Sequence, residues 1–175
     1  MITIKTMTQD QASKLKEIDR SEHIDLIYEM HKGRVVETFK NHECSNWSED
    51  LLKEIQERYL FELSNGGIAI GAFDGESLVG FGVLAHKFRG RNKDQLQIDL
   101  MYVTRNYRRL GIGTQIMNEL SNEARKRGAE YLYISSTETK SAVSFYKQNG
   151  SQIAEEIDEE LFTKEPKDIH MIRKL

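Results

Sequence analysis

Apolar positions along the chain switch between a period of two and a period near 3.6, and the switches mark out its elements. Ile2 and Ile4 alternate with polar neighbours, as in a short strand. Thr8, three residues before Gln11, has the form of a capping box opening a helix on Ala12, Leu15 and Ile18. Asp19 to Cys44 is the least regular stretch. Ile24, Ile27 and Tyr28 fit a helical turn there, and Val35, Val36 and Phe39 a short strand or irregular segment. Ser48 then caps a helix whose stripe is Leu51, Leu52, Ile55, Tyr59 and Leu63, with Trp47 placed to staple onto Leu52 and Asn65-Gly66-Gly67 as its end.

Two strands follow, Ile68–Phe73 and Leu78–Ala85, joined through Asp74-Gly75 as an antiparallel hairpin. The polar segment Arg89 to Asp94 reads as a basic loop. Gln95–Val103 reads as a strand, and Gly111–Arg127 as a helix with Ile112, Ile116, Met117, Leu120 and Ala124 on one side and Gly128 as its C-terminal cap. Tyr131–Ser136 is a strand, Ser141–Gln148 a short helix stopped at Asn149-Gly150, and strands near Ser151–Ile157 and Asp168–Leu175 close the chain. The expected fold class is α/β: a mixed, mainly antiparallel sheet with one right-handed parallel strand–helix–strand crossover and helices on both faces.

Composition narrows the function. At 175 residues the chain suits one domain, 1–175, and a chain of this size buries roughly 70% of its extended surface. Apolar residues at 38% and charged residues at 30% describe a folded, water-facing protein. A net charge of −3 gives the whole molecule no pull towards nucleic acid or anionic lipid, so any basic feature acts locally. One cysteine, Cys44, permits no internal disulfide and agrees with a reducing compartment. No signal-peptide pattern opens the sequence, and no apolar run approaches the ~18 residues of a membrane span, so the expected location is cytoplasmic. The five histidines show no metal-ligand spacing, so no metal is expected, and Asp158-Glu159-Glu160 reads as a solvated loop.

The chemistry-bearing segment is the strand Met101-Tyr102-Val103, the turn Thr104 to Leu110, and the helix start Gly111-Ile112-Gly113-Thr114. Main-chain N–H groups at a helix start lack internal partners and lie at the positive end of the helix dipole, so they suit phosphate. Two glycines allow close approach, and Arg105, Arg108 and Arg109 add cations. The dinucleotide fingerprint fails at Ile116, where its third glycine belongs, and no Gly-Lys-Ser/Thr follows as in a P-loop. The remaining pattern, Arg108-x-x-Gly111-x-Gly113 after an apolar strand, resembles the acyl-coenzyme A signature of the GNAT superfamily of N-acetyltransferases. Ala142 to Gly150, with Tyr146 on a short helix ending in glycine, resembles that family's second cofactor segment. Element order agrees in outline over nearly the whole chain, and the motifs lie within about 95–150. Thr139 stands where many members carry asparagine, and Ser151 where phenylalanine is usual.

The resemblance implies transfer of an acetyl group from acetyl-coenzyme A to an amine, by a monomer or homodimer. It implies that the strand before the glycine turn splays from its neighbour, with Met101, Tyr102 and Val103 meeting the pantetheine arm through main chain. Arg108, Arg109, Leu110, Gly111, Ile112, Gly113 and Thr114 would surround the pyrophosphate, with Thr139 and Tyr146 on the second segment. An ammonium of pKa near ~10.4 must lose a proton before it attacks a thioester. Gln97, Asp99 and Met101 share a face by alternation, and Asp99 is the first candidate base, with a hydrogen-bonded strand carboxylate as its plainer role. Glu22 is the second, with a surface charge as the plainer role. An N–H at Met101 or Val103 would hold the oxyanion. Tyr146 resembles the family's general acid, and otherwise packs as a buried aromatic. A catalytically silent acyl-coenzyme A binding module is the alternative, and a nucleic-acid role through Arg89, Arg91, Lys93 and Arg105–Arg109 sits poorly with the acidic total charge.

Overall fold

The computed structural model describes residues 1–175. Seven strands form one sheet, because most strand segments are apolar on both faces and must be covered on both. They are β1 (Ile2–Met7), β4 (Ile68–Asp74), β5 (Ser77–Arg89), β6 (Gln95–Val103), β7 (Tyr131–Ser136), β8 (Gln152–Ile153) and β9 (Ile169–Lys174), in the order β1-β4-β5-β6-β7-β9-β8. Only β6 and β7 run parallel; they are joined by the crossover helix α2 (Ile112–Lys126). The sheet is the mixed, mainly antiparallel one expected.

Each face carries its own core. On one, Ile112, Ile116, Met117, Leu120 and Ala124 of α2 pack with Leu96 and Ile98 of β6 and with Val143 of α3 (Lys140–Gln148). The stripe read from the 3.6 rhythm is the buried one, and Gly82 lets α2 lie close: a Cβ there would stand 2.8 Å from Leu120. On the other face, α1 (Glu49–Ser64) and a 3-10 helix (Gln9–Glu17) cover Phe73, Phe81 and Leu100. Ser48 caps α1, accepting from the Leu51 N–H, and at the start of the 3-10 helix the Gln11 Oε1 accepts from the Thr8 N–H at 3.0 Å. Trp47, Leu51 and Leu52 all pack against this core; Trp47 donates Nε1–H to the Ile18 carbonyl at 2.7 Å and meets the Tyr102 ring edge-on.

Three segments differ from expectation. Ile24, Ile27 and Tyr28 belong to no helix; β2 (Glu22–His31) and β3 (Arg34–Cys44) form a hairpin outside the main sheet. Its turn, Lys32-Gly33, has φ of 50° and 78°, the doubly left-handed geometry that matches strand twist. The strand expected over Ser151–Ile157 shrinks to Gln152–Ile153, since only Gln152 and Ile153 pair with β9. Asp158-Glu159-Glu160 is the start of a short helix, α4 (Glu159–Lys164), capped by the Asp158 carboxylate. That segment also neutralises Arg89, which is only 7% exposed and donates to Asp158 at 3.0 Å and Glu160 at 3.3 Å. Arg89 is therefore a buried anchor between β5 and α4 and no part of a free basic loop. No helix is long and apolar enough to cross a membrane.

Candidate active site between splayed strands

The sheet opens at β6 and β7. Their parallel pairing covers only Gln95–Ile98 against Tyr131–Ile134, while β6 runs on to Val103 and β7 to Ser136. The cause lies in β6: Leu84 pairs with Ile98 and Val83 with Leu100, so Asp99 is an extra residue, a β-bulge that bends the strand. Past the bulge the alternation slips. Leu96 and Ile98 face the α2 core, Leu100 and Tyr102 face the α1 core, and Met101 and Val103 return to the α2 side. The expected shared face of Gln97, Asp99 and Met101 therefore breaks past Asp99, at Met101, which lies on the α2 side. The Asp99 carboxylate faces α1 and accepts from the Arg58 guanidinium at 3.0 Å. Beyond Ile98, the edge of β6 that faced β7 has no strand partner. On the far lip, Ser135 and Ser136 keep β9 on their other edge, opposite His170 and Ile169, and have no partner on the edge towards β6.

The glycine turn closes one end of this opening. Gly111 is the N-cap of α2 at φ 82°, and no side chain caps the helix. The first helical bond runs from Gln115 N–H to the Gly111 carbonyl, and none of the N–H groups from Leu110 to Thr114 donates to another protein atom. A fifteen-residue helix thus presents its unpaired N–H groups to solvent at the mouth of the splay. A Cβ at Gly111 would meet nothing within 4 Å, whereas one at Gly113 would stand 2.8 Å from the Phe145 ring. Gly111 leaves space open in front of the turn; Gly113 lets α3 lie against α2.

The three arginines are used differently. Arg108 donates Nε–H to the Val103 carbonyl at 2.9 Å, and its terminal nitrogens to the carbonyls of Ser21 at 2.9 Å and Asp19 at 3.1 Å. It ties the segment before β2 to the end of β6. Arg105 is paired with Glu43 at 2.9 Å and reaches the Ser21 hydroxyl. Arg109 is exposed, has φ of 62°, and takes part in no ion pair. Arg108→Ala is expected to cost about 2–4 kcal/mol in chemical unfolding, since it removes three hydrogen bonds from a charged donor and leaves the Asp19 carbonyl only the Arg105 N–H. An unchanged denaturation midpoint would show that the clamp holds nothing.

The remaining candidates stand around the splay. Thr139 caps α3, accepting from the Ala142 N–H, so the hydroxyl in the place of asparagine holds a helix start. Glu22 accepts from the Ser141 hydroxyl at 2.9 Å, linking β2 to the first turn of α3. Tyr146 is 8% exposed, and its hydroxyl bonds to no protein atom. Burial, with Tyr102 and Asp168 nearby, pushes its phenol well above the ordinary range.

One carboxylate with unusual chemistry was not singled out in the sequence. Asp168 accepts from the Ser135 hydroxyl at 2.8 Å, on the β7 lip of the splay. Burial pushes its carboxyl up to about 7; Glu165 and Glu138 add to the rise, while Ser135 and Arg58 oppose it. It also lines a chamber of about 370 Å³ between the β2–β3 hairpin and the segments before and after α4. Tyr28 closes that side by donating its N–H to the Glu138 carbonyl at 2.7 Å.

Comparison with known proteins bears on this arrangement. The model of the acetyltransferase (GNAT) family matches residues 29–150. A search of curated proteins finds no match. Among solved structures, nourseothricin acetyltransferase superposes with a TM-score of 0.75 at 17% identity, covering 99% of this chain and 98% of that one. A protein described as a streptothricin acetyltransferase, from Bacillus anthracis strain Ames in complex with acetyl coenzyme A, gives 0.72 at 19% identity over 100% and 99%. PaiA N-acetyltransferase from Thermoplasma acidophilum, in complex with coenzyme A, gives 0.66 at 18% identity over 100% and 99%. At these identities the structural likeness speaks for the fold, and the family match spans well over half of the sequence: the chain belongs to the GNAT family of acetyltransferases.

Proposed function

We propose that the chain is an N-acetyltransferase that moves the acetyl group of acetyl-coenzyme A to a primary amine by direct attack on the thioester. The observation that carries this reading is the splay itself. Beside it stand a helix N-terminus with no capping side chain and a tyrosine hydroxyl with no protein partner. Related folds with coenzyme A or acetyl coenzyme A bound support the cosubstrate.

In this reading the main chain of Met101, Tyr102 and Val103 pairs with the pantetheine arm, in the place β7 vacates. The N–H groups from Leu110 to Thr114 receive the pyrophosphate, with Arg109 as the nearby cation and Arg108 holding the turn in shape. Gly111 keeps the approach open. The arm runs past Thr139 towards Tyr146. The thioester oxygen takes an N–H of Met101 or Val103 as its negative charge grows. Tyr146, protonated at neutral pH because burial raises its phenol, donates to the departing sulfur. Asp99 and Glu22 remain candidate bases, each already engaged, by Arg58 and Ser141 respectively.

Acetyl-coenzyme A should raise the unfolding free energy by about 2.7 kcal/mol at 100 times its dissociation constant, which a thermal scan reads as an upward shift. A scan unmoved by millimolar acetyl-coenzyme A would overturn the reading. Thiol release on adding amines separates a transferase from a silent binding module.

A further inference from the structure

We propose that Asp168 is the proton acceptor of this reaction and that the chamber it lines takes the acceptor as an aliphatic ammonium ion. The inference rests on the acetyl-transfer reading and adds to it a base and a substrate class.

The geometry favours Asp168 over the other carboxylates. Asp99 lies on the β6 lip, with Arg58 on its Oδ1 at 3.0 Å, so a guanidinium already compensates its negative charge. Asp168 lies on the opposite lip, where its only side-chain hydrogen bond is the neutral one from Ser135. A carboxylate held by one hydroxyl keeps lone pairs for a substrate N–H. Its field reaches the phenols of both Tyr146 and Tyr102, which places it in electrostatic reach of the general acid.

The chamber indicates what enters. Glu29, Glu138 and Asp168 line it against one cation, Lys167, while Ile27, Ile153 and Phe162 supply apolar wall. Such a lining favours a positive head on an aliphatic stem over a neutral amine. An acceptor that arrives protonated needs a base, and a base near neutrality matches the task. The surrounding groups fix the sign of the pH response. Glu138 and Glu165 oppose ionisation of Asp168; Ser135 and Arg58 favour it. His170, on β9, is kept below its ordinary pKa by burial and stays neutral above it.

The ammonium carries three protons and the amide product keeps one. Asp168 takes the first, freeing the nitrogen lone pair to form the C–N bond at the thioester carbonyl. As the C–S bond breaks, the electron pair leaves on sulfur. Tyr146 protonates the thiolate and recovers the second nitrogen proton through the site. Asp168 returns the first to solvent.

The test is a pH profile of kcat/KM for acetylation of 1,5-diaminopentane, with Asp168→Asn and Ser135→Ala beside the wild type. The wild-type profile should rise through about pH 7. Asp168→Asn should be at least tenfold slower at pH 7.5, with its rise moved towards the amine's own pKa near ~10. Ser135→Ala keeps the carboxylate and removes the bond that favours its ionised form, so its limb should move above that of the wild type. Asp168→Asn should also melt higher than wild type at pH 8, the gap closing towards pH 4. The sign follows because the native state holds the Asp168 proton between the ordinary carboxylate pKa and about 7, so wild-type stability falls as pH rises through that window. Identical profiles for wild type and both variants would overturn the proposal. So would acetylation of an arylamine such as aniline in preference to the diamine. Absence of thiol release with any amine, despite acetyl-coenzyme A binding, would instead remove the transferase reading beneath it.

Discussion

Tyr146→Phe is expected to slow acetyl transfer in a single turnover by about 10²–10⁴-fold, the usual contribution of a positioned general acid. The variant removes one hydroxyl and keeps the ring that packs in the α2–α3 core, so acetyl-coenzyme A affinity and melting temperature should barely move. The hydroxyl makes no bond within the protein, and its removal strands no partner. Because burial holds the phenol above its ordinary range, Tyr146 should stay protonated through neutrality and add no limb of its own near pH 7. Single-turnover kinetics is the fitting assay, since product release can mask the chemical step at steady state. An unchanged rate would leave Tyr146 as a packing residue, with solvent protonating the thiolate.

The second large effect is expected at Gly111. Gly111→Val should weaken acetyl-coenzyme A binding by about 100-fold or more, equal to about 2.7 kcal/mol, by losing N–H bonds to a charged group. A β-branched residue at φ 82° is strained, and its side chain would stand in the open space before the helix start. Gly113→Val should behave differently. Its branches meet the Phe145 ring, so the damage should appear first in stability and in the placing of α3, which carries Tyr146. Calorimetric titration of both variants with coenzyme A checks this contrast. Equal, near-wild-type affinity in Gly111→Val would place the phosphates elsewhere.

Where the hydrophobic rhythm was strong, the fold could be read. The stripe from Ile112 to Ala124 is the buried face of α2, and the expected β4–β5 hairpin forms, with its turn one residue on from Asp74-Gly75, at Gly75-Glu76. The β2–β3 hairpin was obscured because Leu26, Ile27 and Tyr28 are consecutive apolar residues, which break period-two alternation. Asn41, at φ 46°, adds an irregularity where the register shifts. Helix α4 was hidden because an acidic run suits solvent as well as a first helical turn; only the Asp158 cap and the buried Arg89 distinguish them.

Residue types and spacing mark the glycine turn, and resemblance to the family's second cofactor segment marks Tyr146. The bulge at Asp99 could not be read in this way, because no residue type marks an extra position in a ladder, and the slip takes Met101 off the face that alternation had assigned it. Asp168 escaped for a different reason. Its chemistry comes from burial and from Ser135, Glu138 and Arg58, which are distant in sequence and meet only after the sheet has formed.

The most direct test follows an acetyl label. The protein is incubated with acetyl-coenzyme A labelled in the acetyl group and with 1,5-diaminopentane, and the products are resolved by mass spectrometry. The expected result is label on the amine nitrogen, with free coenzyme A appearing in equal amount. Label that stays on the thioester, or passes only to free acetate, would contradict amine acetylation.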